Sequence, residues 1–504
     1  MGGKAGCVAV FAAFLFAGTA FAQDITLVAR EGDIVLTGTL QGYDGEFYRI
    51  KTSYGLLTVD GQGVICDGPA CPDLTAPKAV IRIVGAPDAG LALLPLLFRR
   101  FAAGRGLIYQ PVAGEGFAAV VLDPESRKQL AEISFQPMAP DAARATLTEG
   151  LAELMIASRA EQPFGARAVA LDALVPIMAP DNPTPEISTI GLAAVLQGSA
   201  KNWALIGGPD MPIVLHALWP ETDLQRALAD RLGAPVAADV LHPDLATLAA
   251  AVARDPWAIA VTGRAAVGAA TLLPLTDSCG FPLLPSAMAV KAEDYPLALP
   301  VFLLTPQRRL PLMAREFLEF LATPAAQDVV AAAGYVDRST ARQPMTADGL
   351  RLINAIKGAG DDITLADLKR LVNLMDGADR LSLTFRFEDG SSTLDAQSQD
   401  NLADLARLIA AGQFPNERML LAGFSDGSGA APANLALSLE RAAQVAQELA
   451  LVAPDLPPEA LPQVAGFGEA LPMACDETPA GRHLNRRVEL WLLPRFTDSP
   501  PNEN

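Results

Sequence analysis

Histidine is nearly missing: His216, His242 and His483 are the only 3 in 504 residues, without the paired spacing of metal ligands. They read as turn or surface residues. Cysteine, at 5, is too scarce for a disulfide-dense scaffold. Charged residues make up only 19% of the chain, and after the first 22 residues no run approaches the ~20 apolar residues of a membrane span. Basic charge is also short, with 38 Lys and Arg against 57 Asp and Glu, a net −19. Such a surface repels polyanions, so nucleic-acid binding is not expected. There is no nucleophile elbow. The paired carboxylates Glu293-Asp294 and Asp361-Asp362 fall in polar stretches and read as solvated turns. Neither enzymatic activity nor a cofactor is expected, and no metal site.

What is present points outside the cytoplasm. Lys4, an apolar run from Val8 to Ala17 and the small residues of Ala20-Phe21-Ala22 read as a secretory signal over residues 1–22, cleaved before Gln23; the alternative is a retained N-terminal membrane anchor, for which the run is short and without a basic stop-transfer flank. Cys7 precedes the apolar run, so no lipid anchor is expected. Cleavage removes one Lys and no acid, taking the net charge to −20. Cys66 and Cys71 flank the turn at Gly68-Pro69, which suits a local disulfide in an oxidising compartment. A zinc half-site there would lack a complementary pair. Cys279 and Cys475 are either buried thiols or one inter-domain bridge.

The length exceeds one ordinary core and implies several domains. Residues 23–76 alternate in short runs broken by Gly and Asp, predicting a small antiparallel β module. Residues 77–340 mix short apolar strands with Ala/Leu helices, an α/β pattern. Residues 341–376 are polar, helical and interrupted by Gly358 and Gly360, and read as a linker. Residues 377–496 form a second α/β pattern, and 497–504 a disordered tail. Within 377–496, Leu381, Leu383, Phe385 and Phe387 alternate as a half-buried strand. Helical spacing follows at Leu402, Leu405 and Ile409, a strand at 419–423, a helix through Leu435, Leu439, Ala442 and Leu449, and a strand at Val488, Leu490 and Leu492. The order is β-α-β-α-β.

On that scaffold lie Phe387 with Gly390-Ser391 and Leu394, then Gly423-Phe424-Ser425-Asp426. Asn434, Ser438, Arg441, Ala442 and Val445 follow, then Gly466-Phe467-Gly468-Glu469 with Pro472, and last Asn485-Arg486-Arg487-Val488-Glu489. In this order they resemble the OmpA-like peptidoglycan-binding domain over about 115 residues. The resemblance implies a peptidoglycan partner, with Asp426 pairing the ammonium and Arg441 the carboxylate of diaminopimelate in the stem peptide. Asn434 would shape the loop by capping. At most one of Arg486 and Arg487 would face the ligand. Phe424 departs from the family, which more often has a polar residue there. Without the motif, Asp426 and Arg441 read as an exposed ion pair of little consequence.

Residues 78–337 resemble phosphate-type (PstS-like) periplasmic substrate-binding proteins. The resemblance rests on Ile81 to Gly85 with Leu93-Leu94-Pro95, Glu149 to Ser158-Arg159, Ala170-Leu171-Asp172, Asp181-Asn182-Pro183, Gln197-Gly198 and Gly334-Tyr335-Val336. It implies a two-lobed fold with a cleft between lobes. The family's anion-binding hydroxyls are replaced in the first loop, where Pro87 and Asp88 stand, and the second loop reads Leu215 to Thr222 without glycine or arginine. Ser158 and Arg159 remain as cleft candidates, joined by Asp88, His216 and Trp219; Arg159 reads equally as a structural salt-bridge partner. The expected whole is α/β multi-domain: a periplasmic solute-binding-like protein held to the wall, taking a small solute or anion and serving an ABC transporter permease. The alternative is an envelope scaffold whose cleft no longer captures phosphate.

Overall fold

The computed structural model describes residues 25–494 apart from 31–33, 44–45, 69–70, 72–77, 115, 358–362, 389–390 and 392. The expected signal peptide and tail, Asp361-Asp362 and Gly390 lie outside the described residues. Among those described, no helix is long and apolar enough to cross a membrane. The chain divides into two compact units, Met1–Ala79 and Val80–Asn504.

The first unit is an antiparallel sheet in the order Gly55–Asp60, Phe47–Thr52, Val35–Tyr43, Ile25–Ala29, Val64–Asp67. Alternation along Phe47–Thr52 buries Tyr48 and Ile50 against Ile25, Leu27 and Val64. The fifth strand, which the sequence pattern does not single out, pairs back on the first with Leu27 opposite Cys66. Cys66 is bonded to Cys71, a tie that suits a core this small.

The second unit is organised around one strand, Gly165–Met178, whose apolar run is buried on both faces from Ala168 onward. Its first half pairs antiparallel with Ala298–Thr305 and its second half with Ala258–Gly263, so it passes from one lobe into the other. The first lobe continues through Leu154–Ala157, Ala79–Gly85, Gln129–Pro137, Phe117–Leu122 and Ile108–Val112, and the second through Val214–Leu218 and Val240–His242. The chain returns to the first lobe along Ala298–Thr305, and Val336 then bridges Leu171 of the crossing strand.

The C-terminal sheet runs Arg342–Pro344, Asp379–Phe385, Arg487–Pro494, Glu417–Phe424, Gln463–Gly466. Helices Ala396–Ala410 and Ala431–Val452 cover one face, with Leu405, Val445 and Leu449 on Leu381, Leu383 and Phe385. Two expectations need correction here. Residues 341–376 are not a linker: they supply the edge strand and helices Gly349–Lys357 and Leu365–Met375, whose Leu368, Leu371 and Met375 pack with Phe424, Phe467 and Trp491. A capping box between Thr364 and Asp367 starts the second of these helices. Nor is Asp379–Phe385 half-buried. Its alternate residues Arg380, Ser382 and Thr384 are buried as well.

That polar face meets the two-lobed domain. Arg380 donates to both carboxylate oxygens of Asp294 at 2.6 and 3.0 Å, and Arg386 donates to the Glu293 carbonyl at 2.9 Å. Asp294 is 7% exposed and the Glu293 carboxyl is pushed up to about 8 by burial, so this pair is not a solvated turn. It is an anchor for buried arginines. On the first lobe, the Ala168 N–H donates to Asp400 at 2.6 Å and Arg338 to Asp404 at 2.8 Å. Cys279 and Cys475 are joined, adding a covalent tie to the second lobe.

Candidate functional site

The C-terminal site starts where strand Glu417–Phe424 ends. A Cβ at Gly423 would lie 1.9 Å from the Ser438 carbonyl oxygen, and one at Gly466 2.6 Å from the Leu439 nitrogen. Only glycine lets helix Ala431–Val452 lie this close to both strands. The Ser438 hydroxyl accepts from Gly468 N at 2.9 Å and donates to the Leu435 carbonyl at 2.8 Å. Loop and helix are thereby held in one arrangement.

On this frame Asp426 is buried to 8% exposure, and its Oδ1 accepts from Ser428 N at 2.9 Å. Its Oδ2 lies 3.7 Å from Arg486 Nε. Arg441 projects from the middle of helix Ala431–Val452, half-buried, with Nη1 buried and without a hydrogen-bond partner among the described residues. Burial and the neighbouring Arg486 cation lower the Arg441 pKa, while Asp426 opposes them. Asn434 is not a cap. The helix begins after Ala430 without a side-chain cap, and Asn434 Nδ2 instead donates to Glu469 at 2.5 Å. Asp476, which no sequence motif singles out, accepts from Gly427 N at 2.7 Å and from Asn485 Nδ2 at 2.8 Å. Arg487 is fully buried against Glu489 at 2.7 Å, so of the two adjacent arginines Arg486 is the one beside Asp426. A carboxylate and a guanidinium with spare donors, fixed on separate elements, suit a ligand carrying both charges.

The cleft between the lobes differs in character. It closes on a cavity of about 40 Å³, room for a few waters, lined by Asp88, Ser158, Asp172, Asp223 and Tyr335 among apolar residues. Asp223, in the first turn of helix Asp223–Leu232, accepts from Ser158 N at 3.0 Å across the cleft. A carboxylate of the chain itself thus occupies this backbone donor. Burial pushes Asp88 up to about 6, helped by Asp244 and Asp223, and burial also pushes Asp172 up to about 6. Burial raises Asp223 too, against the bond from Ser158.

The other cleft candidates lie apart from this cavity. Arg159 pairs with Asp230 at 2.6 Å and Glu161 at 3.3 Å. His216 faces His242, Nδ1 to Nε2 at 2.9 Å, on adjacent strands, with burial depressing both. It is therefore a buried, paired residue and not a surface one. Trp219 is half-exposed. A larger cavity of about 640 Å³ lies elsewhere, between the second lobe and the C-terminal domain, walled by Leu192, Leu228, Tyr295 and Leu484.

Residues 386–486 match the model of the OmpA family, which puts an OmpA domain at the C-terminus. The chain is 26% identical over 150 residues to the Escherichia coli (strain K12) protein named "Probable lipoprotein YiaD", covering 30% of this chain and 63% of that one. It is 36% identical over 110 residues to outer membrane porin F of Pseudomonas fluorescens, covering 22% and 32%. The chain thus spans less than two thirds of either relative's length. Among solved structures, an ABC-type phosphate transport receptor from Vibrio cholerae aligns at 17% identity and TM-score 0.41, over 51% of this chain and 99% of that one. PstS from Borrelia burgdorferi aligns at 16% and 0.37, over 52% and 99%.

Proposed function

We propose, with the OmpA domain at the C-terminus as premise, that this chain is an exported envelope protein that holds peptidoglycan non-covalently. Diaminopimelate of the stem peptide is the group recognised, its ammonium taken by Asp426 and its carboxylate by Arg441. The observation that carries this reading is the buried Nη1 of Arg441, which has no hydrogen-bond partner among the described residues, on a guanidinium that feels the Asp426 charge. A donor withdrawn from water without an acceptor is costly unless a ligand supplies one. Retention on purified sacculi tests it. Wild type should be retained, and Asp426→Ala or Arg441→Ala should weaken retention by about 10- to 100-fold, the range for hydrogen bonds to charged groups. Equal retention of all three proteins would sink the assignment.

For the two-lobed domain the scaffold reading is favoured over a phosphate-type transporter component and its permease partner. The reason is the Asp223 carboxylate on Ser158 N, with Asp88 and Asp172 beside it. A phosphate ion would have to displace one carboxylate and sit among the others. Titration calorimetry with inorganic phosphate at neutral pH should register no binding; sub-millimolar affinity would restore the transporter reading.

A further inference from the structure

Asp277 lies in the second lobe, between the short strands Leu275–Thr276 and Pro282–Leu283, and is 4% exposed. Its Oδ1 accepts from Cys279 N at 2.9 Å and Phe281 N at 2.8 Å, closing its own hairpin. Its Oδ2 does something else: it accepts from Cys475 N at 2.9 Å, 198 residues further along the chain. The neighbouring Cys279 is bonded to that same Cys475.

The next residue, Asp476, reaches the ligand loop. Asp476 Oδ2 accepts from Gly427 N at 2.7 Å, and Gly427 directly follows Asp426. The other oxygen accepts from Asn485, and the Asp476 carbonyl accepts from Arg482 at 2.7 Å. Gly481 packs so closely that a Cβ there would sit 1.9 Å from the Cys475 carbonyl oxygen. The segment therefore has little room to shift unless its ties change. A short chain of contacts results: Asp277 to Cys475, through one peptide to Asp476, to Gly427, to Asp426.

We propose that Asp277 of the two-lobed domain is a positioning residue for the C-terminal ligand site, setting the Asp426 loop through the Cys475-Asp476 segment. The ligand role assumed for Asp426 is the wall-binding reading above, on which this inference rests. Asp277 lies more than a hundred residues before the 386–486 family match, so the recognition surface is completed by a lobe outside that domain. An amide at position 277 isolates the effect. It has one acceptor oxygen, enough for either the hairpin or Cys475 N, whereas the carboxylate serves both.

The test uses the full-length protein as wild type, Asp277→Asn, the double variant Cys279→Ser with Cys475→Ser, and Asp426→Ala. Two readouts are taken on each: retention on purified sacculi, and amide hydrogen exchange resolved at residues 425–430 and at strand Glu417–Phe424. Asp277→Asn and the double variant should speed exchange at Gly427 while the strand stays protected, and should weaken retention by about three- to thirty-fold, the scale of coupling through a contact network. Unchanged Gly427 exchange overturns the positioning role, whatever retention does. Faster exchange with unchanged retention, when Asp426→Ala is lost from sacculi, shows that the tie does not tune the site and also overturns it. If Asp426→Ala is retained like wild type, the wall-site assignment fails, and the exchange data alone then decide whether Asp277 holds the loop.

Discussion

At the scale of single residues, Asp88 shows what a carboxylate costs when it is drawn into the cleft between the lobes. Its carboxyl is pushed up to about 6 in the folded chain, against an ordinary 3.8. Below pH 3.8 it is protonated whether the chain is folded or not, and costs nothing. Between roughly pH 4 and 6 the folded form retains the proton more tightly than the unfolded chain, so stability falls as pH rises, and above pH 6 the full penalty remains. At about 1.36 kcal/mol per unit, reduced by partial solvent screening, that is about 1–3 kcal/mol. Asp88→Asn should therefore stabilise the protein by about that amount at pH 7 and hardly at all at pH 4, as read by denaturant unfolding at both. An equal gain at both would mean the effect is not the charge. Gly423 carries the other residue-scale prediction. A methyl 1.9 Å from a backbone oxygen has no flexible neighbour to push aside, so Gly423→Ala should cost about 3 kcal/mol in thermal or chemical denaturation.

At the scale of elements, helix Gly349–Lys357 changes what the C-terminal domain is. Its Arg351 donates to Asp348 at 2.7 Å and to Glu489 at 2.6 Å, in the middle of the sheet. Glu489 also takes Arg487 at 2.7 Å and Trp491 Nε1 at 2.9 Å, with Arg380 at 3.4 Å. Although burial alone would raise it, the cations of Arg351, Arg380 and Arg487 hold this carboxyl far below the usual range, while burial lowers Arg487 to about 9. Glu489→Gln would leave three arginines in a dry interior with one counter-charge fewer. The expected loss is about 3–5 kcal/mol, measured as the shift in denaturation midpoint. The motif around Glu489 was legible in the sequence as part of the OmpA-like pattern. The role of Arg351 was not, because a polar helix with glycines nearby has the same composition whether it is solvated or tucked against a charged face.

At the scale of the whole molecule, the C-terminal domain grips both lobes: Ala168 and Arg338 of one, Asp294, Asp277 and Cys279 of the other. Val80–Asn504 is accordingly one compact unit and should melt in a single calorimetric transition. Asp294→Ala removes the bidentate partner of a buried arginine, at about 3–5 kcal/mol, and should split that transition in two. A single unsplit transition in the variant would mean the remaining ties suffice.

What the sequence determined by itself was local and ordered: alternating runs that make strands, glycines where a helix must touch a strand, and two sets of motifs at the right spacing, including Asp426 and Arg441. These are legible because they depend on near neighbours in the chain. Tertiary structure alone decided the surroundings of the polar residues. Arg380 and Asp294 read as solvent-facing because their neighbours alternate or are polar, yet they are buried against each other across a domain boundary. The same local pattern serves a charged side chain that faces water and one that faces an opposite charge, and only the packing of segments far apart in sequence settles which, since burying a charge is tolerable once its partner is buried with it.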